Sequence, residues 1–251
     1  HPEGGLMVYF GSGKYFETND QIVGASPQVQ TFYGIRDQGS QVTARSDLQE
    51  QKILAEETFE VTVNKVLQTP SDPLPADSSL IDVRVTSDTT VAYSTKKGWF
   101  MELKSPDNGA EGERLVSAPL LRAGRIIFST LIPDPDACGW GGSSWLMELD
   151  AVNGSRLDTT PFDINNDGVF DVDDYVQIYD TDGDGDVDLH DAYLPVSGIR
   201  KPDLGIIKTP GVITCANGAE CKYSSGSSGD LDMVLESSDS PTGRQSWRQL
   251  R

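Results

Sequence analysis

Between Asp163 and Asp191 the chain carries eleven Asp in 29 residues, and no Lys or Arg occurs between Arg156 and Arg200. Carboxylates at that density repel one another, so a compact fold has to supply something that neutralises them. The spacing says what it is. The run reads D-I-N-N-D-G-V-F-D-V-D-D, then Y-V-Q-I-Y, then D-T-D-G-D-G-D-V-D-L-H-D. Oxygen groups at positions 1, 3, 5, 9 and 12, with Gly at 6 and a backbone carbonyl from 7, define a calcium loop. In the first loop these are Asp163, Asn165, Asp167, Val169 (carbonyl), Asp171 and Asp174. In the second they are Asp180, Asp182, Asp184, Asp186 (carbonyl), Asp188 and Asp191.

Gly168 and Gly185 allow the sharp turn that gathers the oxygens, and Phe170 and Val187 supply the apolar anchor at position 8. Hard oxygen donors, with no Cys or His at ligand spacing, select Ca²⁺ over zinc and, less firmly, over Mg²⁺. Position 12 is Asp in both loops where Glu is usual, so the final ligand sits on a shorter arm. The competing reading is a solvated acidic loop without metal, but a random acidic run does not repeat one register twice. Asp173 falls outside the register and reads as surface charge, and His190 reads as a polar surface residue. Only Tyr175 to Tyr179 separates the loops, too few residues for the helices of two EF-hands. The pair is therefore expected as one insertion, 163–191, in a larger fold.

Net charge is −19, and −19 + 11 = −8 without the insertion's Asp residues, so the acidity is local. It argues against nucleic acid or an anionic membrane surface as partner. No apolar run approaches the roughly 20 residues that span a bilayer, so membrane insertion is not expected. The sequence opens at His1 with neither an initiator Met nor a signal peptide, as expected of a processed or truncated piece. Cys215 and Cys221 flank a turn in C-A-N-G-A-E-C and either close a small disulfide loop or remain two thiols. Cys138 is odd, and is either free or paired with a segment outside this sequence.

The rest of the chain is punctuated by 25 Gly and 14 Pro, as a turn-rich β architecture requires. Apolar and aromatic strand signals recur at Leu6–Phe10, Thr31–Ile35, Val91–Ser94, Gly98–Leu103 and Arg114–Ser117. They continue at Arg125–Thr130, Ser144–Leu149, Val212–Thr214, Leu231–Leu235 and Gln245–Leu250. With Phe32, Phe100, Leu146 and Met233 taken as equivalent, the spacing fits propeller blades of about 40 to 50 residues with inserts. Leu48–Leu67 turns strand-like towards its end, Thr69–Ser79 reads as a surface loop, and Ser224–Gly229 as a flexible tip. Short helical turns are expected at Asp173–Gln177 and His190–Tyr193. Trp99, Trp140, Trp145 and Trp247 read as packing residues rather than a stacking platform, and Gly139, Gly141 and Gly142 as a tight turn.

Six segments together resemble a known family. They are M-V-Y-F-G-S-G-K-Y-F (7–16), Q-T-F-Y-G-I-R-D (30–37), G-E-R-L-V-S (112–117), S-S-W-L-M-E-L-D-A (143–151), D-I-N-N-D-G-V-F-D (163–171) and S-W-R-Q-L (246–250). In this order they resemble the C-terminal domain of the PilY/PilC family, the tip-associated adhesins and biogenesis factors of bacterial type IV pili. The resemblance implies an all-β, modified quinoprotein-type β-propeller with a calcium loop on one blade. This chain, 1–251, would be a C-terminal part of it, with about four blade-like units. It also implies that calcium governs pilus extension and retraction, hence twitching motility and surface adhesion. The family's ligand positions 1, 3, 5, 7 and 9 fall on Asp163, Asn165, Asp167, Val169 and Asp171. The second loop departs from that single-site pattern. The family's N-terminal region, often with a von Willebrand factor A-like domain, has no counterpart here, and no Arg-Gly-Asp tripeptide occurs.

Three functions are weighed. The leading one is a calcium-binding, non-enzymatic pilus-tip protein at the cell surface, exported through the periplasm, with minor pilins or the tip complex as partners and a host or abiotic surface as target. The second is a calcium-stabilised extracellular adhesin or scaffold unrelated to pili. The third, a quinoprotein-like dehydrogenase, needs a roof of adjacent cysteines that this sequence lacks. Charge ranks the loops. The second offers five Asp side chains and is expected to stay filled, while the first, with four Asp and Asn165, is the candidate regulatory site. The insertion as a whole is expected to contribute little to the core.

Overall fold

The structure, a computed structural model, describes residues 1, 4–62, 65–67, 70–76, 78–136, 139–215 and 218–237. The first half of the chain forms β1 (Leu6–Gly11), β2 (Gln30–Asp37), β3 (Gln49–Gln51), β4 (Ile53–Thr62), β5 (Lys65–Leu67), β6 (Ser79–Thr86), β7 (Gly98–Leu103), β8 (Leu120–Arg122) and β9 (Arg125–Ser129). The second half forms β10 (Ile132–Pro133), β11 (Gly142–Ser143), β12 (Leu146–Asp150), β13 (Tyr175–Val176), β14 (Leu194–Pro195), β15 (Gly198–Arg200), β16 (Gly211–Thr214), β17 (Glu220–Ser225) and β18 (Leu231–Glu236). The helices among the described residues are single 3₁₀ turns at Thr18–Gln21, Arg45–Asp47, Val172–Asp174 and Pro202–Leu204. None is long and apolar enough to cross a membrane. The chain is all-β, as its turn chemistry requires.

The strands collect into three principal sheets: β1-β2-β7-β3, β5-β4-β6-β15-β12-β9-β8 and β16-β17-β18. The seven-stranded sheet lies in the middle, because its strands are covered on both faces. From β12, Met147 and Leu149 join Phe32, Trp99, Met101, Phe128 and Trp145 in one core, shared with the first sheet. On the opposite face Leu146 joins Val83, Val85, Ile127 and Ile199 in a second core, which Val234 of the third sheet completes. Strands covered twice read as continuous apolar runs rather than alternation, as in R-I-I-F-S of β9 and L-M-E-L-D of β12. Each large apolar side chain so buried contributes roughly 1.5–3 kcal/mol.

This layering corrects the even spacing of units expected from sequence. Phe32 and Phe100, taken as equivalent residues of successive units, lie on neighbouring strands of one sheet, where Phe32 pairs with Met101 and Tyr33 with Phe100. Val91–Ser94 is no strand. Val91 is buried, its N–H donates to Asn153 Oδ1 at 3.0 Å, and the Tyr93 hydroxyl donates to the Val152 carbonyl. Arg114–Ser117 makes a single bridge, Arg114 with Leu131. Conversely β6, central to the middle sheet, falls where a loop was expected to end. Its apolar run is broken by Asp82 and Arg84, which hides it from periodicity. Both charges are held. Asp82 accepts from Arg200 Nε at 2.7 Å, and buried Arg84 makes paired 2.9 Å bonds to both carboxylate oxygens of Glu113 and reaches Glu56. The Arg84 guanidinium also lies 4.0 Å from the Trp145 ring centre, and that of Arg200 4.7 Å.

The third sheet docks through charge as well as apolar contact. Lys222 of β17 and Glu236 of β18 are buried, and Lys222 contacts both Glu236 and Glu148 of β12. Glu148 also pairs with Arg125 of β9. Trp99 and Trp145 are buried packing residues as expected, whereas Trp140 is half exposed. Trp247, Gln245–Leu250 and Cys138 lie outside the described residues. Cys215 and Cys221 form a disulfide across the β16–β17 turn, with Cα atoms 5.7 Å apart. The expected tip at 224–229 begins inside β17, leaving only its far end as a turn.

Candidate metal centre

The insertion hangs between β12 and β15, adjacent antiparallel strands in which Leu146 pairs with Ile199. Everything from 151 to 197 is thus an excursion from one edge of a strand pair and back. Within it the short β13 pairs with β14, Tyr175 with Pro195 and Val176 with Leu194, which pinches off the second loop.

Both loops are built by one set of hydrogen bonds. The position 1 carboxylate accepts the N–H of the Gly at position 6, Asp163 from Gly168 and Asp180 from Gly185, each at 2.9 Å. Position 3 accepts from the N–H of position 5, Asn165 from Asp167 and Asp182 from Asp184. Position 5 accepts from position 7, Asp167 from Val169 and Asp184 from Asp186. Position 9 accepts from position 11, Asp171 from Asp173 and Asp188 from His190. Gly168 and Gly185 take positive φ, 82° and 101°, which L side chains rarely adopt. Each short Asp or Asn thus turns the backbone back under itself.

Position 12 has a role that spacing alone does not show. Asp174 accepts the N–H of Ile164 at 2.8 Å and of Asp171 at 3.3 Å. Asp191 accepts the N–H of Thr181 and, at 2.8 Å, of Asp188. In both loops these donors are positions 2 and 9. The shorter Asp arm therefore latches the loop ends together through the backbone, and the signal for it in the sequence is Asp where Glu is usual. The two latches differ electrostatically. Burial pushes Asp174 up to about 7, with the Asp163 charge adding to it, whereas backbone N–H groups, first that of Asp188, hold Asp191 below the usual carboxylate range.

The loops also differ in setting. Asp163, Ile164 and Asn165 are buried, and Ile164, Val176, Ile178 and Leu194 belong to the same core as Val83 and Val85. That overturns the expectation that the insertion adds little to the core. The entry of the first loop is also zipped to the last strand of the third sheet. Phe162 bridges Glu236, Asp163 N–H donates to the Leu235 carbonyl at 3.4 Å, and Ser237 N–H donates to the Pro161 carbonyl at 2.9 Å. By contrast residues 181–190 are all exposed. Val187 is 47% exposed, while Phe170 is more covered at the corresponding place in the first loop. His190 is exposed and bonded to Asp188, and Asp173 is exposed, as read from sequence. Of the expected helical exits, the first is the 3₁₀ turn Val172–Asp174 and the second is only a turn.

The donor set fits a hard cation. Oxygens of Asp180, Asp182 and Asp184 lie within 4.8 Å of one another. Ligands about 2.3–2.6 Å from one ion are at most about 5 Å apart, so these three already stand at coordinating separation. In the first loop the Asn165 amide donates to Asp167 at 3.1 Å, tying positions 3 and 5 together.

No family model matches the chain. A type IV pilus biogenesis factor PilY1 homolog from Xylella fastidiosa is 30% identical over 271 residues, covering all of this chain and 16% of that protein. PilY1 of Pseudomonas aeruginosa is 28% identical over 257 residues, covering 98% of this chain and 19% of that protein. The crystal structure of the Pseudomonas aeruginosa PilY1 C-terminal domain superposes with a TM-score of 0.68 at 22% identity, over 94% of this chain. The chain belongs to the PilY1 family. It spans less than a fifth of the curated relatives' length and 42% of the solved domain, so within that β-propeller-like fold it is a part, an open stack of sheets among the described residues.

Proposed function

We propose that this chain is the calcium-binding part of a type IV pilus biogenesis factor, acting at the pilus tip by presenting an ordered surface rather than by catalysis. The pilus assignment is supported by the relatives' names, and the calcium assignment by one observation: two loops of different sequence close with the same hydrogen bonds, which in the second bring oxygens of Asp180, Asp182 and Asp184 within 4.8 Å of one another. Asp163, Asn165, Asp167, the Val169 carbonyl and Asp171 would hold one ion, and Asp180, Asp182, Asp184, the Asp186 carbonyl and Asp188 the other. Asp174 and Asp191 would close each loop. The ion supplies the positive charge that lets these carboxylates share one space. Calcium would thereby bear on extension, retraction and twitching, and on adhesion to a host or abiotic surface. Minor pilins or the tip complex are the expected partners, outside the cell after passage through the periplasm.

Burial reverses the roles that charge suggested. The first loop, with Ile164 in the core and its backbone bonded to β18, is the staple. The second, exposed and pinched off by β13 and β14, is free to order and disorder and is the candidate switch. In the parent organism, Asp182→Ala in the full-length gene should abolish the calcium dependence of twitching while the protein still reaches the surface. Twitching that responds to calcium as in the wild type would refute the switch assignment.

A further inference from the structure

The cluster joining β12 to the third sheet has a chemistry that ion pairing leaves unexplained. Lys222, Glu148 and Glu236 are all fully buried, and the Lys222 amine contacts a carboxylate oxygen of each. Glu148 accepts from Lys222 Nζ at 2.6 Å and also lies 2.6 Å from Arg125. On Glu236 the structure places Lys222, which it shares with Glu148. A buried carboxylate that shares its cation is costly as an anion. Lys222 and Val234 are cross-strand partners, so Lys222 and Glu236 lie two residues apart on the same face of one hairpin.

We propose that Lys222 and Glu236 condense to an intramolecular amide, with Glu148 as the proton-transferring catalytic residue. The neutral Lys222 amine attacks the carboxyl carbon of protonated Glu236. Glu148 takes a proton from the attacking nitrogen and returns it to the departing hydroxyl. One C–N bond forms, one C–O bond breaks, and one water leaves, with no oxidant or cofactor required. Burial lowers the Lys222 pKa, which favours the nucleophilic form, and fixed contact supplies the proximity that the step needs. Charge balance supports the product. Three cations, Arg122, Arg125 and Lys222, face three anions, Glu148, Glu220 and Glu236. Condensation removes one of each and leaves the Arg125–Glu148 and Arg122–Glu220 pairs. The bond would lock the β17–β18 hairpin covalently, beside the Cys215–Cys221 disulfide that already closes the β16–β17 turn.

Trypsin reads the bond directly, because an acylated Lys222 is not cleaved. The protein, reduced and alkylated, is digested after denaturation and weighed. The expected product is one peptide spanning 209–244, lighter by one water than its sequence. Separate peptides 209–222 and 223–244 at their sequence masses would overturn the proposal and leave a plain ion pair. In soluble Glu148→Gln protein the 209–222 peptide should appear. An undiminished cross-link in that variant would overturn the role of Glu148.

Discussion

Replacing Ile164 by Ala tests whether the first loop is part of the core or merely attached to it. Ile164 is position 2 of that loop, buried against the cluster that includes Val83, Val85 and Val234. The substitution removes three carbon atoms, worth about 0.8 kcal/mol each in transfer free energy, or about 2.4 kcal/mol. The cavity adds to this, and comparable Ile→Ala changes in cores cost about 2–5 kcal/mol. The backbone bond from Ile164 N–H to Asp174 survives, so the loss is one of packing. For a chain of this size about 3 kcal/mol lowers Tm by about 6–12 °C. The matched control is Val187→Ala in the second loop, where the side chain is half exposed and the expected cost is below about 0.5 kcal/mol. Thermal melts and urea titrations of calcium-saturated protein measure both. Equal costs for the two variants would refute the claim that only the first loop is built into the core.

Arg84→Ala should cost about 3–5 kcal/mol in urea titration, because it strands buried Glu113 and nearby Glu56 without their cation, and a loss below about 1 kcal/mol would contradict that pairing. Tyr9 donates to the Ala151 carbonyl at 2.9 Å, and burial first, then the Asp150 charge, pushes its pKa up to about 12. Since the folded value lies above the unfolded one, its contribution is complete below about pH 10 and fades as pH rises towards 12. Tyr9→Phe should therefore flatten part of the alkaline stability loss in that window, and an identical pH profile in the variant would sink the assignment.

The two acidic loops were legible as turns because their chemistry is local: alternate oxygens and a Gly at position 6 dictate the turn without help from the rest of the chain. The same locality made the β16–β17 disulfide and the strands β1, β2, β7, β9 and β18 readable. What escaped depends on partners distant in sequence. Strand β6 looks broken at Asp82 and Arg84 until Arg200, Glu113 and Glu56 arrive to pair with them. Val91 and Leu115 read as strand residues but are single apolar plugs in otherwise irregular chain. The ranking of the loops by charge overlooked Ile164, whose one apolar side chain decides which loop is seated. Asp174 and Asp191 were found as ligands at position 12, but their latching role was not, because its partners are backbone N–H groups and the short Asp arm is its only trace in the sequence.

Calorimetric titration of the chain with Ca²⁺ is the most direct test of whether these loops are metal sites. Two ions per chain are expected, falling to one in Asp167→Ala and to one in Asp182→Ala, with neither variant losing the other's site. An absence of calcium-dependent heat, or an unchanged stoichiometry of two in either variant, would contradict it.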